Sequence, residues 1–241
     1  MKVGKLEPFV LIPAHNEGAS LPVVIGDVRA HMPGVRVLVV DDGSTDDTLA
    51  VLAPLQVQVV RLLQRLGVGS AMRAGLRYAA ARGASLVVRM DGDGQHRASD
   101  LPQVIEPIAS GNADVVIGAR CTRVAARHDS PWRLTLRRAL ARILSVAAGQ
   151  RVSDPTSGFC AFGPAAIALL CEHHPTGYPE PELLLLARRH GLRVVEVPVG
   201  SHPRLAGRTT LTPARLIVTT GRVLLAMVIV PLRGAFGARD A

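Results

Sequence analysis

Along the first half of the chain, short apolar runs alternate with longer stretches of helical periodicity. Phe9–Pro13, Val35–Val40, Val57–Leu62, Leu86–Met90 and Val115–Ile117 are continuously apolar and bounded by turn residues. Continuous rather than alternating runs predict strands buried on both faces. Between them helices are predicted over about Ser20–His31, Thr45–Ala53, Val68–Arg82 and Ser99–Ser110. The alternation predicts an α/β fold, a mostly parallel sheet with helices on both faces.

After Arg120 the pattern changes. Pro131–Gln150 reads as a basic amphipathic helix, with Trp132, Leu136, Leu140, Ile143, Leu144 and Ala147 on one face and Arg133, Arg137, Arg138 and Arg142 flanking it. The segment "DPTSGF" breaks it, and a helix near Pro181–His190 and a strand near Arg193–Val197 follow. The tail from Leu211 to Phe236 is again helical and apolar. Its longest apolar stretch, Leu216–Leu232, is 17 residues with Arg222 inside, short of the roughly 20 apolar residues a bilayer core demands. It is expected to lie on or dip into a membrane interface, with a packing or dimer helix as the alternative. Residues 1–210 are therefore expected to form one domain and 211–241 a C-terminal helical tail.

In open parallel sheets, ligands bind beyond the carboxyl ends of the strands. Each of the first four strands ends in polar chemistry: "PAHNE", "DDGSTDD", "QRLGVGSAMRAG" and "DGDGQH". One shared site accounts for all four. Asp91 and Asp93, two apart after a strand, can reach one hard divalent ion, Mg²⁺ or Mn²⁺, with Gln95 adding an amide oxygen. The competing reading is a solvated Asp-Gly turn. His96 is either a supporting or a capping residue. Asp41 and Asp42 can accept hydrogen bonds from a base N–H or a ribose hydroxyl, while Ser44 or Asp46 caps the next helix. Glu17 lies beside Asn16 right after "FVLI". The "GVGSAM" stretch is not a dinucleotide fingerprint, because Met72 stands where its third glycine is required; its small residues predict close approach of a helix.

Composition narrows the partners. Net charge is +9, and arginine supplies all but two of the 28 basic residues. Arginine is the better planar partner for phosphate. Aromatics make up 3% and no helix-turn-helix or zinc-finger spacing appears, so nucleic acid is not the expected partner. Anionic lipid or a phosphorylated ligand explains the charge better. Mean hydropathy is +0.27, which points to an apolar or interfacial contact. Cys121, Cys160 and Cys171 are odd in number and lack metal or redox spacing, as expected of incidental thiols in a reducing compartment. With no leader pattern at Met1–Pro8, a cytoplasmic location is expected.

As a set, "PAHNE", "DDGSTDDT", "RLGVGSAMRAG", "DGDGQH", "GAR", "DPTSGF", "EVPV" and "GRTT" resemble the inverting family 2 glycosyltransferases, within them the dolichyl-phosphate mannose synthase-like, polyprenyl-phosphate branch. The resemblance spans roughly residues 8–210 and is very specific. It implies a glycosyltransferase A-type, Rossmann-like fold forming the catalytic domain, and a GDP- or UDP-linked hexose donor. A divalent metal is implied on Asp91, Asp93 and Gln95, and nucleotide contacts from Pro13, Glu17, Asp41, Asp42, Gly67 and Asp91. Arg120 of "GAR", Arg133 or Arg137, and Ser157 of "DPTSGF" are implied on the acceptor side, where that branch holds a lipid phosphate. Arg208 and Thr209 belong to an implied donor-covering loop. "GRTT" departs from the usual Gly-x-Ser, so Thr209 must supply the hydroxyl.

The implied reaction sets the residue demands. A phosphate monoester acceptor is already ionised at neutral pH, so attack on the anomeric carbon needs no strong base. Asp93, through the metal, and Arg120 would then neutralise the departing diphosphate. A sugar-hydroxyl acceptor would need a carboxylate base, for which Glu180 or Glu182 is the candidate. A non-catalytic binding module is the third reading, against which the intact acidic motifs weigh. The enzyme is expected on the cytoplasmic face of the membrane, held peripherally, with a homodimer as a further partner state.

Overall fold

The computed structural model describes residues 8–120, 131–175, 179–205 and 221. Seven strands form one sheet: β1 (Pro8–Ala14), β2 (Arg36–Asp41), β3 (Gln58–Arg61), β4 (Leu86–Arg89), β5 (Val115–Arg120), β6 (Cys160–Phe162) and β7 (Val194–Val199). Their order is β3-β2-β1-β4-β6-β5-β7. All neighbours are parallel except β6, which runs antiparallel to both β4 and β5. The expected parallel sheet is present. The strand β6 was not foreseen, because three residues after "DPTSG" carry no readable period.

Among the described residues seven α-helices cover the sheet: α1 (Leu21–His31), α2 (Thr48–Leu52), α3 (Val68–Ala81), α4 (Leu101–Ala109), α5 (Pro131–Ala148), α6 (Pro164–His173) and α7 (Pro179–Arg189). Helix α6, apolar almost throughout, also went unforeseen. Helix α2 starts later than expected, because residues 43–47 turn to meet the loop after β1. Strand residues feed two cores in strict alternation. Phe9, Leu11, Leu38 and Val40 face Met72 and Leu76 of α3 and Leu140 and Leu144 of α5. Val10, Ile12, Val37 and Val39 face Leu21 and Ile25 of α1 and Leu101 and Val104 of α4.

Helix α5 corrects an expectation. Leu140 and Leu144 are fully buried and share a cluster with Leu183 and Leu184 of α7. Over that turn the apolar stripe is core, while Arg138 and Arg142 are exposed and Ala147, expected on the stripe, faces solvent. The tail from Leu211, the stretch Leu216–Leu232, Cys121, Arg208 and Thr209 lie outside the described residues, except for the exposed helical Gly221. Among the described residues no helix is long and apolar enough to cross a membrane.

Candidate active site

The chain leaves β1 toward β2 and β3 on one side and returns to β4 on the other. Such a reversal opens a crevice at the carboxyl ends of β1 and β4. The loops after β1, β2 and β4 meet there, as the sequence predicts.

The β4 loop is built around Asp91. Arg89, buried at 5% exposure, donates from Nε at 3.3 Å and Nη2 at 3.1 Å to Asp91 Oδ1. Its Nη1 lies 2.8 Å from Glu180 Oε1 at the start of α7. The Asp91 N–H donates to His96 Nδ1 at 3.1 Å, which leaves the proton of the neutral ring on Nε2. His96 stacks on Phe159, with centroids 5.0 Å apart. Burial lowers its pKa against the pull of Asp91 and Asp93, so His96 is a neutral prop of the loop. Gly158 of "DPTSGF" lies so close to Asp91 Oδ2 that any Cβ would collide with it. Burial acts to raise the Asp91 pKa, but Arg89, His96 and Arg120 outweigh it and hold the carboxyl below its ordinary range.

Asp93 is 4% exposed. Its Oδ1 accepts from the Gln95 N–H at 2.9 Å, and its Oδ2 lies 2.8 Å from Arg204 Nη2. Burial and the neighbouring Asp91 raise its pKa. Glu17 is raised as well, chiefly by burial and then by Asp93 and Asp91, against its hydrogen bond from Ser20. Three carboxyls thus crowd one end of the crevice, where Asp93 and Glu17 ionise less readily beside Asp91. A cation relieves that.

Whether the residues fit a metal can be judged from a stand-in. The Arg204 nitrogen that meets Asp93 Oδ2 is also 3.3 Å from Gln95 Oε1, so these two oxygens converge on one positive charge. Among the described residues no three His, Cys, Asp or Glu side chains form a metal cluster. The hard oxygen set of Asp93, Gln95 and the partly open Asp91 fits Mg²⁺ or Mn²⁺, with the amide as its third ligand type.

At the ends of β1 and β2, Pro13 and Ala14 pair in register with Val40 and Asp41. Asp41 is fully buried. Its Oδ1 accepts from the Ser44 N–H at 3.0 Å, whereas Oδ2 has no hydrogen-bond partner; the Arg61 Nε stands 3.8 Å away. Such an orphaned buried oxygen calls for a ligand donor. Asp42 has a different task from the expected one. Its two oxygens accept from Leu66 N–H at 2.7 Å and Gly67 N–H at 2.8 Å, pinning the glycine loop to β2. Asp46, rather than Ser44, receives the first N–H of α2, from Thr48. The β1 turn is laced to this loop by Asn16 N–H to Ser44 Oγ and Glu17 N–H to Thr48 Oγ1.

Across the crevice, Arg120 ends β5. It meets Asp154 in a fork, Nε to Oδ2 at 2.7 Å and Nη2 to Oδ1 at 2.9 Å, and adds Thr156 Oγ1 at 2.9 Å. Asp154 is 3% exposed. Burial works to raise its pKa, yet Arg120 and Arg137 hold the carboxyl below its ordinary range. Arg137 therefore sits near this pair; Arg133 lies one turn earlier in α5, and its side chain is outside the described residues. Ser157 is buried, and its hydroxyl donates to the Gly118 carbonyl. It ties "DPTSGF" to β5 instead of facing an acceptor. Glu180, the candidate base for a hydroxyl acceptor, is spent on Arg89.

Comparison with known proteins decides the family. Residues 9–167 match the family described as Glycosyl transferase family 2. The chain belongs to that family. The glycosyltransferase is 32% identical over 218 residues to polyprenol monophosphomannose synthase of Mycolicibacterium smegmatis, covering 86% of this chain and 82% of the relative. It is also 32% identical to undecaprenyl-phosphate mannosyltransferase of Micrococcus luteus, covering 85% and 87%. These place it in the polyprenyl-phosphate branch. Glucosyl-3-phosphoglycerate synthase of Mycobacterium tuberculosis, crystallised with Mn²⁺, UDP-glucose and glycerol 3-phosphate, superposes with TM-score 0.66 at 26% identity, covering 95% and 80%. The enzyme has the glycosyltransferase A-type fold.

Arg89, Asp154 and Arg204 escaped sequence reasoning. Each is a single charge in an otherwise apolar or loop segment, and only its partner reveals it.

Proposed function

We propose that this enzyme transfers a hexose, with inversion, from a GDP- or UDP-linked sugar to polyprenyl phosphate at the cytoplasmic membrane surface. The observation that carries the reading is one crevice with two chemically opposed ends. An acidic end holds Glu17, Asp91, Asp93 and Gln95, with the orphaned Asp41 Oδ2 beyond it; a basic end holds Arg120 and Arg137. The named activities of the curated relatives support the same acceptor class.

Asp41 Oδ2 would accept an N–H of the base, with Pro13 and Gly67 lining the way. Asp91, Asp93 and Gln95 would hold Mg²⁺ or Mn²⁺, which when bound neutralises the diphosphate as it leaves. Arg89 and His96 keep the Asp91 carboxylate aimed. Arg120, oriented by Asp154, and Arg137 would present the acceptor phosphate, whose oxygen attacks the anomeric carbon. No base is needed, because that oxygen carries no proton at neutral pH. Orientation of two bound anions against each other is the main work. Arg133, Arg208 and Thr209 complete the acceptor and donor sides of the reading. The basic flank of α5 and the tail 211–241 would rest on anionic lipid.

A transfer assay with labelled GDP- and UDP-sugars and polyprenyl phosphate tests the proposal. Label should enter the organic phase as an acid-labile sugar phosphate and stop doing so in EDTA. A stable glycoside in the aqueous phase would sink it.

A further inference from the structure

The segment that leaves β7 runs back over the "DGDGQH" loop. His202 N–H donates to the Gln95 carbonyl at 2.9 Å and Leu205 N–H to the Asp93 carbonyl at 3.0 Å, two rungs of a short ladder. The Leu205 side chain covers Gly94, which has φ +78°, so closely that a methyl group there would collide with it. Gly200 N–H anchors the start of this strap on Asp100 Oδ2 at 2.7 Å. Arg204 lies between the two rungs. Its Nη2 sits 2.8 Å from Asp93 Oδ2 and 3.3 Å from Gln95 Oε1, and its charge also offsets the raised pKa of Glu17.

We propose that Arg204 is the internal counter-cation of the metal site, which a divalent ion must displace from Asp93 and Gln95 in order to bind. The proposal rests on the reading that Asp91, Asp93 and Gln95 hold the metal. The guanidinium supplies the positive charge that Asp93 and Gln95 meet before the ion arrives. An ion and a guanidinium cannot share Asp93 Oδ2, because two positive charges at contact distance in a partly dry site repel strongly. Metal entry therefore frees Arg204.

Binding of Mn²⁺ alone, followed by the loss of its free-ion electron paramagnetic resonance signal, tests this on the full chain. Arg204→Gln should bind Mn²⁺ at least about fivefold more tightly, within the usual range of coupling between two sites. Arg204→Lys, which keeps the charge, should bind close to the parent, and Asp93→Asn should not bind. Equal Mn²⁺ affinity in the parent and Arg204→Gln, with Asp93→Asn still inactive in binding, would overturn the displacement and leave the metal site standing. Absence of Mn²⁺ binding in every protein would overturn both. A second measurement needs no substitution. Phenylglyoxal modification of Arg204, read by peptide mass spectrometry, should speed up several-fold when Mn²⁺ is added. An unchanged rate argues against release and defeats the proposal.

Discussion

Asp41 and Asp42 are adjacent in sequence and opposite in use. Asp42 spends both oxygens on backbone N–H groups, whereas Asp41 keeps a buried oxygen unsatisfied. Asp41→Asn should weaken nucleotide binding by about tenfold, the value of one hydrogen bond to a charged group, with stability unchanged or slightly increased. Titration calorimetry with GDP and UDP beside a urea melt separates the two effects. Asp154 is the other residue whose charge can be tested by pH. Its folded pKa lies below the ordinary 3.8, so its contribution to stability is complete at neutral pH. That contribution fades as pH falls past 3.8 and is gone below the folded value. Asp154→Asn should therefore cost about 3 kcal/mol at pH 7, as expected when one member of a buried pair is removed. Urea midpoints of parent and variant should approach each other at pH 3.

The gathering of the acidic motifs at one crevice could be read from sequence because their chemistry is local: two carboxylates and an amide fall within five positions at the end of a strand. The significance of Arg89 could not. It stands inside an apolar strand, and its meaning comes from Glu180, which is brought to it by the fold. Asp154 likewise reads as a loop aspartate until Arg120 is placed against it.

Among the elements, the strands of four or more residues declared themselves, and the three-residue β6 did not. Strands β1, β2 and β5 exceed the length at which burial imposes a pattern, while β6 is three residues held by neighbours on both sides. Helix α5 shows a different failure. An apolar stripe flanked by arginines looks the same whether it faces lipid or protein, and only packing against Leu183 and Leu184 decides. Leu144→Ala should cost about 2–5 kcal/mol in urea denaturation, the usual penalty for a cavity in a core. A loss under 1 kcal/mol would return the stripe to a surface. The Arg89–Glu180 pair joins α7 to β4 in the same way. Arg89→Met alone should lose about 3 kcal/mol, and Arg89→Met with Glu180→Met should recover only the part due to Glu180, because Asp91 still lacks its guanidinium.

At the scale of the molecule, the net charge of +9 is the property that acts furthest from the site. Attraction between exposed arginines and an anionic surface is screened within about 8 Å at physiological salt. Vesicle flotation with the full chain should show binding to phosphatidylglycerol vesicles and little to neutral phosphatidylcholine. Raising salt to about 0.5 M should remove most of it. Binding that ignores lipid charge and salt would mean apolar insertion instead.

The antiparallel β6 has a bearing on how the chain acquires its shape. Within the sheet, two blocks of parallel strands, β3-β2-β1-β4 and β5-β7, are joined through β6. The first block can assemble from contiguous sequence, but the outer edge of β4 keeps its amide groups open until residues 160–162 arrive from some seventy positions downstream. Closing so long a loop is slow, and an open strand edge invites pairing with another chain. A ribosome that has released only the first hundred residues therefore holds a nearly complete four-strand block with one unguarded border. The same late stitch that finishes the sheet also sets Gly158 against Asp91, so that carboxylate reaches its final surroundings only as folding ends.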